Sequence, residues 1–263
     1  MTRQAALRLL SSLSALLLVA ALAGAARAEQ LIVSISNNRI TVTTNYSGGE
    51  LVLFGSIERE AGAAVRPGYD LVVTVRGPRA DMVTRRKERK LGIWVNTDSR
   101  QFINVPAYLA VFANRPLEVI ASADTQRRQQ LGMNNILLTQ RVGADYGDVV
   151  PDDAFRSAFV RLREGQGLYR QDAAAVTFLT PTLFRTGIPL PAEVPIGAYE
   201  VEIQCFADGA LLTKTTTGFE IVKVGFEQFV ASAARNNGLA YGLVTALMAL
   251  MTGWIASVVF RKD

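Results

Sequence analysis

Histidine is absent from all 263 residues. That removes the general base of a Ser-His-Asp or Cys-His system and every zinc or copper site built on imidazole. Cysteine occurs once, at Cys205, so no disulfide can close within the chain. Neither a phosphate-binding P-loop nor a GxGxxG fingerprint occurs, and nothing in the sequence calls for a cofactor or a metal ion. No internal repeat and no low-complexity linker divides the chain. Long charge-free runs are scarce too, and they sit at the two ends.

The first end reads MTRQAALRLLSSLSALLLVAALAGAARAEQ. Arg3 and Arg8 give a positive start, Leu9 to Ala23 an apolar run, and Ala26-Arg27-Ala28 the small residues a signal peptidase inspects. This predicts a secretory signal over residues 1–28, cleaved before Glu29. The second end is Gly238 to Phe260, 23 residues without a charge. At about 1.5 Å per residue it spans about 35 Å, enough for a hydrocarbon core of about 30 Å. Tyr241 and Trp254 lie near its ends, where amphipathic rings favour the interface, and Arg261 and Lys262 follow at once. The expected topology is single-pass in a bacterial inner membrane. Residues 29–237 then face the periplasm, and the C-terminus is cytoplasmic.

Between the ends, strand follows strand. Leu31 to Ile35, Arg39 to Thr44, Glu50 to Ile57 and Tyr69 to Arg76 carry β-branched or alternating patterns broken by turn residues. Met82 to Lys87 and Leu91 to Asn96 are expected to flank a basic hairpin, with Phe102 to Val105 and Tyr108 to Phe112 as further strands. The middle changes period. Leu117 to Leu131 can be helical. Asp152 to Leu168 is a better helix, with Phe155, Phe159 and Leu162 on one face, Asp152 or Asp153 as cap, and Gly165 and Gly167 at its end. Strands resume at Ala175 to Leu179, and Pro181, Pro189, Pro191 and Pro195 punctuate an extended connection. Tyr199, Val201, Ile203 and Cys205 then alternate with polar residues. Asp208-Gly209 supplies the residues of a type I′ turn. Leu211 to Thr217 pairs back, and Phe219 to Val224 is a last strand. Pro195-x-Gly197-x-Tyr199 is analogous to the tyrosine corner of immunoglobulin-like sandwiches.

The expected fold is therefore mainly β: immunoglobulin-like sandwich modules, a helical middle segment and one C-terminal transmembrane helix. The expected division is a signal (1–28), an N-terminal β-rich module (29–123), a helical segment (124–170), a C-terminal β-rich module (171–224), a juxtamembrane segment (225–237), the span (238–260) and a tail (261–263). One enlarged sandwich with an inserted helix is the alternative.

Few residues suggest chemistry. Asp145, Asp148, Asp152 and Asp153 cluster as calcium ligands can, but they match no EF-hand, and the last two sit where a helix cap belongs. Glu58 with Glu60, or Glu200 with Glu202, would share a strand face and are the candidate acids of a carboxylate-based hydrolase. Cys205 falls on the inward face of its strand, where an inert buried thiol is the ordinary outcome and an intermolecular disulfide or a reactive thiol the other.

The run Arg85, Arg86, Lys87, Arg89 and Lys90 resembles a nucleic-acid patch. A translocated domain meets little nucleic acid, and no aromatic residue interleaves within the run to stack bases. Three of the 28 basic residues leave with the signal, so the remainder barely exceeds the 23 acidic ones. Two readings stay open for the run. One is a solvated hairpin face that discourages edge pairing. The other is a contact for anionic lipid headgroups or an acidic partner. In the span, Gly238, Gly242, Ala246, Ala249, Gly253 and Ser257 recur at steps of three or four. That makes a candidate helix-packing stripe, or simply the small residues common in spans.

The segments YDLVVTVRGP (69–78), RRKERKLGIWVN (85–96), PIGAYEVEIQCFADG (195–209) and KVGFEQFV (223–230) resemble the alphaproteobacterial putative transmembrane protein family. These motifs are structural, so the resemblance carries over no catalytic residue. It implies a gene neighbourhood shared with sulfite-exporter-like membrane proteins, and hence a transport-accessory role. The expected function is a membrane-anchored periplasmic interaction module, not an enzyme, whose partner is a membrane protein such as a transporter. The alternative is a carboxylate-based hydrolase or a binding protein acting on envelope polymers. No residue pattern names a small-molecule ligand.

Overall fold

The computed structural model describes residues 29–43, 45–59, 68–142, 145–148, 153–225, 230 and 234–259. The expected signal (1–28) and tail (261–263) lie outside the described residues.

The chain after Glu29 is mainly β. Its strands are β1 (Gln30–Ile35), β2 (Arg39–Val42), β3 (Gly49–Glu58), β4 (Asp70–Arg76), β5 (Arg79–Lys90), β6 (Ile93–Pro106), β7 (Leu109–Ala113), β8 (Thr139–Val142), β9 (Asp145–Asp148), β10 (Tyr169–Asp172), β11 (Val176–Phe178), β12 (Leu183–Leu190), β13 (Gly197–Ala207) and β14 (Ala210–Lys223). Helices α1 (Leu117–Ile120), α2 (Ala123–Arg128) and α3 (Ala154–Gly165) occupy the middle, and α4 (Gly238–Val259) closes the chain.

Three sheets form. One has the order β1-β3-β12-β11, a second β10-β7-β4-β13-β14-β2, and a third β5-β6-β8-β9. The first is antiparallel throughout. The second is antiparallel in its centre and parallel at its rims, where β10 joins β7 and β2 joins β14. Leu51, Leu53, Ile57, Phe184 and Ile188 of the first sheet share one core with Leu71, Val73, Val75, Val201 and Ile203 of the second.

This arrangement corrects the division into two β-rich modules. Strands from both stretches alternate inside both sheets: β12 lies against β3, and β13 lies between β4 and β14. The result is the single enlarged sandwich with an inserted helix.

Strand β4 shows why its sequence is a continuous apolar run. Leu71, Val73 and Val75 enter the main core, while Val72 on the other face joins Val111, Leu117, Ile120, Leu131 and Phe206 under the short helices. A strand covered on both faces has no polar side to alternate with. Each such side chain contributes about 1.5–3 kcal/mol of burial. Strand β3 has one covered face and alternates accordingly.

Local signals explain several boundaries. Helix α3 begins where the Asp153 carboxylate accepts from the backbone N–H groups of Phe155 (2.8 Å) and Arg156 (3.0 Å). Phe155 and Phe159 are buried on one face, but Leu162 is exposed. Arg156, itself buried, donates to the carbonyls of Asn134 (3.0 Å) and Ile136 (2.9 Å) and ties the helix to the preceding loop. The turn between β13 and β14 has positive φ at both Asp208 and Gly209, as a type I′ turn requires. The Tyr199 hydroxyl donates to the Pro195 carbonyl at 2.6 Å, closing the tyrosine corner.

Candidate functional site

The basic run lies on a single long hairpin, formed by β5 and β6. The expected short strands Leu91 to Asn96 and Phe102 to Val105 are parts of one strand, β6, and Leu91 is in the turn. Leu91 (φ 50°) and Gly92 (φ 87°) form a two-residue turn with positive φ at both positions. Leucine is an unusual first residue for such a turn, so residue preference alone favours a strand there.

The hairpin is held at its root. Phe102 is fully buried and meets the Phe159 ring at 4.8 Å, and Thr84 is buried beside it on β5. Among the described residues, the ribbon above the root has two strands, since β8 joins β6 at Phe102. An open cleft of about 420 Å³ runs between this part of β5 and helix α3, lined by Arg85, Arg86, Lys87, Phe155, Arg161 and Leu162 among others. The Arg86 and Arg100 guanidinium groups lie 6.0 and 4.9 Å from the centre of the Phe155 ring.

The register sorts the five candidate cations. Arg85 pairs with Ser99, Lys87 with Asn96, and Arg89 with Trp94, so these side chains share the outer face. Arg86 pairs with Asp98 and Lys90 with Ile93 on the other face, where Arg86 also lies 3.4 Å from Glu88. A bulge near Thr97 shifts the register between Arg86 and Lys87 and keeps this sorting in step with the root. The structure thus brings Arg85, Lys87 and Arg89 together and sets Arg86 and Lys90 apart from them. It adds three apolar residues to the patch. Leu91 is 104 %, Ile93 65 % and Trp94 68 % exposed. Recognising Leu91-Gly92 as the turn would have placed Trp94 opposite Arg89 from sequence alone.

The second candidate surface is α4. Its 22 residues are long and apolar enough to cross a membrane, and none of them is buried. Gly238, Gly242, Ala246, Ala249, Gly253 and Ser257 all fall within it. A Cβ added at Gly238, Gly242 or Gly253 would meet no atom within 4 Å, so that side of the helix is open to a neighbour.

The candidate acids behave differently. Glu202 accepts from Arg76 at 2.6 Å and from Gln204 at 2.7 Å, with the Lys214 ammonium 3.9 Å away. Burial works to raise its pKa, but the Arg76 and Gln204 hydrogen bonds and the two positive charges outweigh it and hold the carboxyl below the ordinary value. A carboxylate kept ionised in this way cross-links β4 and β13; a general acid needs the opposite shift. Glu200 is exposed, as is Glu58, and Glu60 lies outside the described residues. Of the clustered aspartates, Asp153 is the α3 cap, also 3.9 Å from Arg100. Asp152 and the side chains of Asp145 and Asp148 lie outside the described residues. Cys205 is fully buried, inward with Val201 and Ile203.

A family model described as a putative transmembrane protein matches residues 30–262, nearly the whole chain. No curated protein matches it.

Proposed function

Because the chain belongs to this family of transmembrane proteins, we propose that it is a membrane-anchored periplasmic interaction module serving as an accessory subunit of an inner-membrane transporter. The carrying observation is the contrast within one chain between a filled sandwich and a 22-residue apolar helix with no residue buried. Such a helix is covered by lipid or by another span. Its small-residue side lets a second backbone approach closely, which is how spans associate without a hydrophobic driving force between them. The secretory signal read at residues 1–28 supports a domain on the far side of the inner membrane, and Arg261 with Lys262 supports a cytoplasmic C-terminus. In this reading the protein carries out no catalysis, and Glu202 serves as a strand cross-link.

The test is purification from native membranes in mild detergent, followed by identification of what accompanies the chain. A membrane transport protein is expected to co-purify, and Gly242→Leu with Ala246→Leu is expected to release it at any ionic strength. Recovery of the chain alone across several detergents would overturn the accessory role.

A further inference from the structure

The distal hairpin separates charge by face. On its outer side stand Arg85, Lys87 and Arg89, whose cross-strand neighbours are Ser99, Asn96 and Trp94. The two acids of this distal part, Glu88 and Asp98, belong to the opposite side, and Asp81 stands below the root, accepting from the backbone N–H of Asn104. At the apex Leu91, Ile93 and Trp94 are exposed together. We infer that this outer face and apex rest on an anionic lipid surface, making a second membrane contact for a domain already tethered by α4. The inference rests on the membrane anchoring proposed above.

Three features select lipid as the occupant. The first is the apex. A hairpin turn with positive φ at both positions ordinarily carries Asn, Asp or Gly, whereas here a fully exposed leucine stands in the turn. Leucine, isoleucine and tryptophan are side chains that enter the boundary between headgroups and acyl chains, and tryptophan favours that boundary most. The second is the cationic face just behind the apex. Arginine and lysine stems can lie along the apolar layer while their charged ends stay among phosphates. Each cation near an anionic surface strengthens attachment about five-fold. The third is proximity. Fourteen residues separate Lys223 from Gly238, a connection reaching about 50 Å at most. That holds the domain at high effective concentration near the bilayer surface. A weak individual contact is then enough.

The sequence supplies its own probe, because Trp94 and Trp254 are the two tryptophans. In the full chain carrying Trp254→Phe, all tryptophan emission comes from Trp94. The protein is reconstituted into phosphatidylcholine vesicles and into equimolar phosphatidylcholine–phosphatidylglycerol vesicles, each containing a lipid brominated on its acyl chain. Flotation with the neutral vesicles checks the anchor separately. The expected result is bromine quenching of Trp94 in the anionic vesicles, several-fold weaker in the neutral ones and reduced by about 0.5 M salt. Replacing Arg85, Lys87 and Arg89 with Gln should weaken the association about 100-fold, with unchanged far-UV circular dichroism. Flotation without lipid quenching in either vesicle overturns the lipid contact and leaves the anchor standing. Failure to float overturns both. Shielding of Trp94 only when a co-purified protein is added also overturns the inference, and assigns the face to that protein.

Discussion

Strands β4 and β5 are neighbours in sequence, separated by Gly77 and Pro78, yet they are built on opposite terms. Strand β4 is sandwiched on both faces and reads as an unbroken apolar run. Strand β5 is covered only around Thr84 and carries charge along most of its length. The first is held by burial. The second is held by its root and by hydrogen bonds to one partner, a ribbon that would be marginal alone. Residues of β4 are therefore fixed by packing, whereas the cations and apex of β5 are dispensable for the core. Their chemistry is available for contact with something outside the chain.

The contrast predicts a steep gradient of mutational cost. Leu71→Ala removes a fully buried side chain from β4 and should destabilise the protein by about 2–5 kcal/mol. Urea unfolding followed by far-UV circular dichroism reads this directly.

Glu202→Gln comes next. It loosens the half-buried pair that joins β13 to β4 and leaves Arg76 without its charged partner, at about 2 kcal/mol. Its pH dependence has a definite sign. The folded-state pKa of Glu202 is depressed, so its stabilisation is present above the ordinary carboxylate value and is lost as pH falls through the folded value. Unfolding midpoints measured down an acid series should fall less steeply for Glu202→Gln than for the parent.

Tyr199→Phe deletes the bond to the Pro195 carbonyl but keeps the ring stacked on Phe219 at 4.8 Å. About 1 kcal/mol should be lost, visible as a lower denaturation midpoint with an unchanged slope. The smallest effect belongs to the arm. Gln at Arg85, Lys87 and Arg89 together should shift the midpoint by no more than about 0.5 kcal/mol. A cost as large as that of Leu71→Ala would mean that these residues are structural after all.

What the sequence made legible follows the same division. The hairpin of β13 and β14 was readable because alternation and an Asp-Gly turn are local signals. Helix α3 was readable from its period and from Asp153. Strand β12 was not, because Pro189 and its proline neighbours look like loop; in the structure Pro189 sits near the strand's end, opposite Glu50. The interleaving of β12 and β13 among earlier strands was also hidden, since pairing between distant segments leaves no local mark. On the candidate surface, the cations were evident from composition. Their sorting by face and the company of Trp94 depended on the Leu91-Gly92 turn, which residue preference argues against. That the small residues at positions 238–257 fall within one helix was legible, because the uncharged run sets the helix's extent.

On the proposed topology the sandwich and its arm lie outside the cytoplasm on a chain anchored by α4. Thiol labelling tests it most directly, since Cys205 is the only native cysteine and is fully buried. Glu200→Cys, at an exposed position of β13, and Asp263→Cys, each introduced singly into the full chain, are exposed to a membrane-impermeant maleimide in spheroplasts. The proposed topology predicts that the thiol at position 200 reacts at once and that the one at 263 reacts only after permeabilisation. Labelling of position 263 from outside, or protection of position 200 until the membrane is opened, would contradict it.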